Sequence, residues 1–272
     1  MTDTEESPDI LTREAPAPDL TVAYGPLPEH VADVRLPPES SPMRPAPLVI
    51  FWHGGFWRAQ YDRHHLGPLA SDLAARGYVV VTPEYRRTGD GGGWPMTFED
   101  VSLAAAKLPA MLDEQLPGQI DLGRVVLGGH SAGGHLAVWA AERDAVGQEM
   151  APGASVSGVL ALAPVLDLAD AFRLKLGRGA VGALLGGSPQ EFPERYAAAD
   201  PSLLDRPAAR LTIVHGDRDS SVPIEMSRNY RDRTGCALVE IEGGDHFAVI
   251  DPLSDAWTSV VRELAVLSGN PT

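Results

Sequence analysis

A serine lies in a run of small residues that is typical of a nucleophile turn. Three apolar residues at 125–127 run into Gly-His-Ser-Ala-Gly at 129–133, and residues suited to a helix follow. A strand, a sharp turn and a helix in this order hold the central serine in a strained conformation, and glycines are needed where a Cβ would collide. The pattern favours Ser131 as a nucleophile. A purely structural turn is the alternative, so other motifs must decide between them.

Two consecutive glycines follow an earlier apolar strand. Residues 47–52 are apolar, and His-Gly-Gly-Phe-Trp comes directly after them at 53–57. Backbone N–H groups that point into a cavity from such a turn can stabilise the negative charge that acyl transfer builds on a carbonyl oxygen. The N–H groups of Gly55, Phe56 and Ala132 are therefore candidates for an oxyanion hole. A Gly-Gly turn without function is the alternative.

A nucleophilic serine needs a base, and the chain has eight histidines. His246 is favoured because Gly-Gly-Asp-His-Phe at 243–247 lies between the last predicted strand and the last predicted helix. The other histidines are interpreted as surface, capping, helix-packing or loop-bracing residues: His30, His53, His64, His65, His130, His135 and His215.

An acid that orients His246 is expected in the segment 215–223, His-Gly-Asp-Arg-Asp-Ser-Ser-Val-Pro. Asp217 and Asp219 compete for this role. Asp219 is favoured because it lies deeper in the turn, just before the Val-Pro pair. Asp245 is too close in sequence to orient its neighbour and is interpreted as a residue that fixes the loop.

Strands and helices alternate along the chain, which predicts a mostly parallel sheet covered by helices on both faces. Active sites of such sheets lie at the carboxyl ends of the strands, where each motif above falls. The predicted strands are 20–24, 32–36, 47–52, 78–82, 124–127, 156–163, 210–215 and 237–241. The predicted helices are 63–76, one that opens at Thr97, 224–234 and 252–267.

The segment from about 165 to 205 fits this sheet poorly, and its apolar residues suggest short amphipathic helices. A small lid over the site and an ordinary connection packed beside the sheet are both open. Trp57 and Trp94 are candidates to line the substrate pocket, with core packing as the alternative. The run Glu-Tyr-Arg at 84–86 is interpreted as an ion pair and hydrogen-bond group below the site.

Composition limits the class of protein. The 272 residues are 44% apolar, which suits one large α/β domain, and residues 1–19 are acidic and proline-rich, which predicts a disordered lead-in to a single domain at 20–272. A net charge of −15 disfavours nucleic acid and anionic membranes. Cys236 is the single cysteine, which excludes an intrachain disulfide and suits a cytoplasmic location. No apolar run is long enough to span a membrane.

From about Leu20 to Leu267 the sequence resembles the α/β-hydrolase superfamily, and more narrowly the kynurenine formamidase and small carboxylesterase group. The likeness lies in His-Gly-Gly-Phe-Trp at 53–57, where formamidases carry His-Gly-Gly-Tyr-Trp, in Gly-His-Ser-Ala-Gly-Gly-His-Leu-Ala at 129–137, and in Asp-His-Phe at 245–247. The chain order nucleophile, acid, histidine is also that of the α/β-hydrolase fold.

The resemblance implies a triad of Ser131, Asp219 and His246 that acts on small esters or aryl formamides, with no metal or organic cofactor and a small molecule as the partner. Residues 87–95 depart from the formamidase pattern, and the segment 215–223 is common among bacterial esterases and oligopeptidase-like hydrolases. An oligopeptidase or exopeptidase, and a binding protein of the same fold without catalysis, are the alternatives. The oligomeric state is open, a homo-oligomer included.

Overall fold

The computed structural model describes residues 8–42, 44–142, 150 and 153–269. Eight strands within these ranges form one sheet. They are β1 (Leu20–Ala23), β2 (Val31–Arg35), β3 (Ala46–Trp52), β4 (Val79–Pro83), β5 (Ile120–His130), β6 (Val156–Leu162), β7 (Arg210–Gly216) and β8 (Ala237–Ile241).

The order of the strands across the sheet is β1-β2-β4-β3-β5-β6-β7-β8. β2 pairs antiparallel with β1 and with β4, and the other neighbours pair parallel. The mostly parallel sheet is confirmed. Because β3, β5, β7 and β8 run in one direction, the loops that follow them leave from one edge of the sheet.

Eight α-helices connect or cover the strands in the described ranges. They are α1 (Gly67–Ala75), α2 (Met96–Gln115), α3 (Ala132–Glu142), α4 (Leu168–Arg173), α5 (Leu176–Leu185), α6 (Pro193–Ala199), α7 (Ile224–Thr234) and α8 (Trp257–Leu267). The closing helix begins later than residue 252, where the sequence placed it, because turns occupy residues 252–256.

The strands bury side chains on both faces of the sheet. In β3, Leu48, Ile50 and Trp52 belong to one hydrophobic layer, whereas Val49 and Phe51 belong to the other. Successive side chains of a strand point to opposite faces, so a strand that is apolar throughout must be covered on both sides. α2, α3 and α7 cover the first face, and α1 and α8 cover the second.

The N-terminal segment is packed against the domain from residue 8 onward, which corrects the prediction of a disordered lead-in over 1–19. Pro8–Leu11 forms a short 3-10 helix, and Ile10 is 1% exposed beneath α1 and α8. Arg13 forms a bidentate ion pair with Asp251. The segment is held by Ile10 and Leu11, which pack against the same layer, by this ion pair and by a hydrogen bond from Arg35 to Pro16 O, although its composition is acidic and proline-rich. Residues 1–7 lie outside the described residues.

The segment from 165 to 205 forms α4, α5 and α6, which are anchored on α3. His135 Nε2 and Trp139 Nε1 of α3 donate hydrogen bonds to the carbonyl oxygens of Ala199 and Ala198, each at 2.9 Å. The start of α5 approaches the loop after β3, because a Cβ on Gly177 would lie 2.5 Å from the ring of Phe56. The segment is therefore a packed connection that reaches this loop at Gly177.

No α-helix of the described ranges combines the length and apolar character that a membrane span requires. Among the same residues, no group of three or more His, Cys, Asp or Glu side chains is placed to hold a metal ion. Cys236 is a buried free thiol, and burial raises its pKa.

The buried His135 predicts a loss of stability in mild acid. Burial lowers the pKa of His135 from 6.5 to about 4. Between these two pH values the unfolded chain binds a proton that the folded protein does not, so stability falls as the pH drops, by up to about 1.4 kcal/mol per pH unit from this group. We expect His135→Phe to flatten the fall in unfolding free energy, measured by urea unfolding at pH 7.5, 6.0 and 5.0.

His64→Gln is the matched control, because 66% of the His64 side chain is exposed. This variant should keep the acid slope of the parent protein. An acid slope that is the same in His135→Phe as in the parent would show that the imidazole of His135 is not the buried neutral group described above.

Candidate active site

Ser131 occupies a sharp turn between β5 and α3, and the backbone of this turn packs directly against neighbouring backbone. Its φ is 55°, in the left-handed region that non-glycine residues rarely adopt. A Cβ on Gly129 would lie 2.1 Å from the carbonyl oxygen of Gly133, and a Cβ on Gly133 would lie 2.0 Å from the carbonyl oxygen of Trp52. Only glycine fits at both positions. The turn is held further by a hydrogen bond from Ser131 N–H to Leu162 O at 2.8 Å.

The loop after β3 lies directly beside Ser131. A Cβ on Gly54 would be 3.1 Å from the Cβ of Ser131, so no side chain separates the loop from the serine. Gly55, Phe56 and Trp57 all have positive φ, at 107°, 52° and 55°. Three left-handed residues in succession reverse the chain, and such strained conformations cluster at functional sites.

Three backbone N–H groups in this region are free to bind an oxygen. Within the described part of the chain, no acceptor lies in hydrogen-bond range of the N–H groups of Gly55, Phe56 and Ala132. Ala132 is the first residue of α3, and the first N–H groups of a helix have no partner inside the helix. Gly55 and Phe56 line the same cavity as Ser131. The arrangement can hold an oxyanion.

Asp219 and His246 are brought together from the loops after β7 and β8. His246 Nδ1 donates a hydrogen bond to Asp219 Oδ2 at 2.6 Å. A second close backbone contact joins these loops, because a Cβ on Gly216 would lie 2.2 Å from the carbonyl oxygen of Gly244. Asp217 instead accepts the N–H of Gly243 at 2.7 Å. Of the two competing aspartates, Asp219 therefore contacts the histidine.

A second histidine binds the same carboxylate oxygen, which the sequence reasoning missed. His215 Nε2 lies 3.0 Å from Asp219 Oδ2 and 3.0 Å from the carbonyl oxygen of Val222. A carbonyl oxygen only accepts, so His215 Nε2 carries the hydrogen and donates to both. His215 Nδ1 contacts Ser227 Oγ at 2.7 Å. No local sequence pattern signals this contact, because His215 lies at the end of β7 and Asp219 in the loop that follows it.

Asp219 is held as a carboxylate by its hydrogen bonds. Burial alone would raise its pKa, but the donors His215 and His246 outweigh burial and hold the pKa of Asp219 well below its usual value. Its other oxygen accepts the N–H groups of Ser221 at 2.9 Å and Val222 at 2.7 Å. The orientation of the carboxylate toward His246 is thus fixed by four donors.

His130, the residue before Ser131, supports the histidine loop. Its Nε2 donates a hydrogen bond to the carbonyl oxygen of His246 at 2.9 Å, and the two rings lie 4.6 Å apart between centroids. Burial holds the pKa of His130 well below its usual value, so the ring is neutral. The turn that carries Ser131 and the loop that carries His246 are therefore linked directly.

Ser131 and His246 open onto one cavity of about 120 Å³. Its apolar walls include Leu11, Phe56 and Phe247. A hydroxyl, an imidazole oriented by a buried carboxylate, and free N–H groups thus meet at one small apolar space. This set of groups can perform acyl transfer.

The two tryptophans proposed as pocket residues are placed elsewhere. Trp57 is fully buried and packs edge-on against His135, with 5.2 Å between ring centroids. Trp94 packs against Phe98 at 5.1 Å. The left-handed conformation of the loop directs Phe56 toward the cavity, whereas Trp57 joins the core. The walls beside Ser131 are therefore formed by Phe56 and its neighbours rather than by these two indoles.

Glu84 supports the loop after β3 through contacts with His53 and Arg87. His53 Nε2 donates to Glu84 Oε1 at 2.7 Å, and Arg87 lies 3.4 Å from the same oxygen. Although burial opposes it, this pairing lowers the pKa of Glu84 to about 2. Arg86 binds Asp100 instead, at 2.7 Å. Residues 84–86 therefore form ion pairs and hydrogen bonds as interpreted, but with different neighbours and not with one another, because successive side chains after β4 point in different directions.

A protein-family comparison places this site within a known family. The BD-FAE model matches residues 32–233, which is more than half of the chain. The chain belongs to the BD-FAE family. The matched range of the BD-FAE chain includes Ser131 and Asp219, whereas His246 lies beyond its end.

Two curated relatives of this BD-FAE chain are hydrolases. Esterase LipC of Mycobacterium tuberculosis is 28% identical over 278 residues, which cover 90% of this chain and 68% of that protein. Kynurenine formamidase of Danio rerio is 28% identical over 245 residues, which cover 87% of this chain and 77% of that protein. The resemblance to esterases and kynurenine formamidases is confirmed, and the BD-FAE chain is a hydrolase.

Solved structures share the fold. A truncated form of a carbohydrate esterase from gut microbiota matches with a TM-score of 0.77 at 21% identity, over 94% of this chain and all of that one. Thermogutta terrifontis esterase 2 phosphonylated by sarin matches with a TM-score of 0.71 at 21% identity, over 94% and 96% of the two chains. The α/β-hydrolase fold is confirmed by these matches and by the strand order.

The close packing of the serine turn predicts a severe effect of one methyl group. In Gly133→Ala the new Cβ would meet Trp52 O at 2.0 Å, and neither backbone segment can move without disturbing β3 or α3. We expect a loss of more than about 3 kcal/mol in unfolding free energy. Gly123→Ala is the matched control, because Gly123 is exposed and a Cβ there meets only the Asp121 side chain, at 3.2 Å.

Gly123→Ala should change the unfolding free energy by less than about 1 kcal/mol. Urea unfolding of both variants measures the difference. Equal stabilities of the two variants would contradict the backbone contact described for Gly133.

Proposed function

We propose that this hydrolase cleaves small carboxylic esters or aryl formamides through a triad of Ser131, His246 and Asp219 and a covalent acyl-enzyme. The observation that carries the proposal is the 2.6 Å hydrogen bond between His246 Nδ1 and Asp219 Oδ2 beside a cavity that Ser131 also lines. A carboxylate bound to Nδ1 leaves Nε2 of the imidazole as the basic nitrogen, which is the arrangement that a serine nucleophile needs.

Acylation begins when Ser131 Oγ attacks the substrate carbonyl carbon and His246 Nε2 takes its proton. The carbonyl π electrons move to oxygen, and the resulting oxyanion is held by the N–H groups of Gly55, Phe56 and Ala132. Asp219 stabilises the imidazolium. When the tetrahedral intermediate collapses, the bond to the leaving oxygen or nitrogen breaks and the proton passes from His246 to that atom.

Deacylation repeats these steps with water. His246 takes a proton from water as its oxygen attacks the acyl carbon, the same N–H groups hold the second oxyanion, and the proton returns to Ser131 as the acid leaves. Apart from water, each group that acts in these steps belongs to the chain.

Small acyl groups suit the site best. The cavity of about 120 Å³ is smaller than the engineered cavity of roughly 150 Å³ that holds benzene. Its apolar walls favour formyl and short aliphatic acyl groups over charged ones. The names of the relatives, esterase and kynurenine formamidase, agree with short acyl esters and with aryl formamides.

Removal of the nucleophile is the first test. Ser131→Ala should lower kcat/KM for p-nitrophenyl acetate and for N-formylkynurenine by at least about 10⁴-fold, because no hydroxyl remains to form the acyl-enzyme. Ser155→Ala is the matched control, since Ser155 is exposed and its hydroxyl donates, among the described residues, to the Gly123 carbonyl at 3.2 Å. Undiminished turnover by Ser131→Ala would reject the assignment.

The same assay separates this proposal from a peptidase. If the parent protein cleaved aminoacyl amides and neither of the two substrates above, the oligopeptidase interpretation would replace the esterase.

The two aspartates give a paired test of the acid. Asp219→Asn should lower kcat by about 10⁴-fold, because an amide that donates to His246 would favour the wrong tautomer. Asp217→Asn should change kcat by no more than a few fold, since Asp217 contacts the Gly243 N–H and not the imidazole. Stopped-flow or steady-state rates on p-nitrophenyl acetate measure both. Equal losses in the two variants would contradict the assignment of Asp219.

A further inference from the structure

A larger cavity adjoins the one that contains Ser131. Its volume is about 440 Å³, and the N-terminal residues 11–18 form one of its walls. The two cavities share Leu11, Tyr61 and His65 as lining residues. A substrate bound at Ser131 therefore has this second space as an immediate neighbour, and the triad chemistry above makes no use of it.

The two cavities differ in size and fit different parts of a substrate. The smaller cavity, about 120 Å³, has room for the reacting carbonyl and a short acyl chain. A volume of about 440 Å³ lies within the range of small-molecule binding sites, roughly 300 to 1,000 Å³. A ring-sized group attached to the reacting carbonyl would extend past Leu11, Tyr61 and His65 into the larger cavity.

The N-terminal wall of the larger cavity is joined to the loop that carries the catalytic imidazole. Arg13 Nη2 in its wall donates to Asp251 Oδ2 at 2.9 Å, and Asp251 belongs to the same loop as His246, five residues later. Leu11 and Phe247 also pack against one hydrophobic layer. His246 must protonate the leaving atom, so the leaving group lies on its side of the carbonyl. Because the N-terminal wall of the larger cavity is joined to the imidazole loop, a leaving group on that side can enter the cavity past Leu11.

The lining of the larger cavity is polar without net charge. Three arginines and three acids line it: Arg13, Arg35, Arg63, Glu14, Asp33 and Asp62. Arg63 binds Asp33 at 3.0 Å, and Arg35 donates to Ser71 Oγ at 3.0 Å and to Pro16 O at 2.9 Å. Arg13 is also ion-paired, with Asp251, and the three positive side chains of the lining are matched in number by three negative ones, so the lining has no net preference for either sign of charge. A ligand charge that is buried there without a partner is costly. A neutral ligand therefore fits this lining best.

His65 adds to this preference because it faces both cavities. Burial lowers the pKa of His65 to about 3, so its imidazole is uncharged at neutral pH. A neutral imidazole can accept or donate one hydrogen bond, and Tyr61, 38% exposed, presents an aromatic ring beside it. Both side chains suit a flat, uncharged group with hydrogen-bonding atoms.

We infer that the 440 Å³ cavity is a leaving-group subsite for neutral, ring-sized alcohols or amines, and that the N-terminal segment 11–18 builds its outer wall. The inference rests on the proposed function, because a leaving group exists only if Ser131 is acylated. It adds that specificity for the leaving group is set by a segment that contributes no residue to the triad.

The test fills the cavity and compares two acetate esters. 4-Methylumbelliferyl acetate has a neutral two-ring leaving group, whereas methyl acetate has one that the subsite does not contact. Ala15 and Ala17 lie in the wall, so Ala15→Trp and Ala17→Trp should each fill the cavity. We expect each variant to lower the ratio of kcat/KM for the umbelliferyl ester to that for methyl acetate by at least about tenfold relative to the parent, which corresponds to about 1.4 kcal/mol.

Comparison of each variant with the parent cancels the intrinsic reactivity of the two esters. Ala110→Trp is the control, because Ala110 is exposed on α2, and it should leave the ratio within about twofold of the parent. Circular dichroism establishes whether each variant is folded. If one of the two cavity-filling variants does not fold, the other is used for the comparison.

The outcomes separate this inference from the proposed function. If the filling variants keep the parent ratio while the parent cleaves both esters, the subsite is wrong and the hydrolase assignment stands. A uniform loss on both esters likewise overturns the subsite. If the parent cleaves neither these esters nor N-formylkynurenine, the proposed function fails and the subsite fails with it.

Discussion

Two contacts of backbone on backbone set the positions of all the chemical groups in this site. The first contact joins β3 to the turn that carries Ser131 and to the start of α3. These segments approach so closely that a Cβ on Gly133 would lie 2.0 Å from Trp52 O. At the second, the loops after β7 and β8 meet at Gly216, where a Cβ would lie 2.2 Å from Gly244 O. The first contact places Ser131 beside the free N–H groups, and the second places Asp219 beside His246. Side chains then refine a geometry that the main chain has already determined.

The electrostatics of the site follow from this packing. Asp219 is buried, and it remains a carboxylate because four donors surround it, among them the imidazoles of His215 and His246. A carboxylate that is fully bound by donors has one orientation, so it fixes the tautomer and direction of His246. His130 holds the same loop from the serine side. The imidazole is therefore positioned from two sides, by Asp219 in the loop after β7 and by His130 at the end of β5.

The sequence predicted structure correctly where steric limits or a short motif require a particular residue type. The glycines of 129–133 and the alternation of strands and helices predicted the turn and the sheet, because few other residues satisfy those conformations. Contacts between distant segments were not predictable in this way. The packing of Ile10, the sharing of Asp219 by His215, and the burial of Trp57 depend on which loops meet in space, and nothing in their local sequence reports that.

The central claim is that Ser131 is the nucleophile and that the N–H groups of Gly55, Phe56 and Ala132 hold the oxyanion. A crystal structure of the protein after reaction with diethyl p-nitrophenyl phosphate tests it most directly, since the phosphoryl oxygen stands in for the oxyanion of the tetrahedral intermediate. The account predicts phosphorus bonded to Ser131 Oγ, with the phosphoryl oxygen about 2.7 to 3.1 Å from those nitrogens. Phosphorus bonded to another residue, or a phosphoryl oxygen turned away from all three nitrogens, would contradict it.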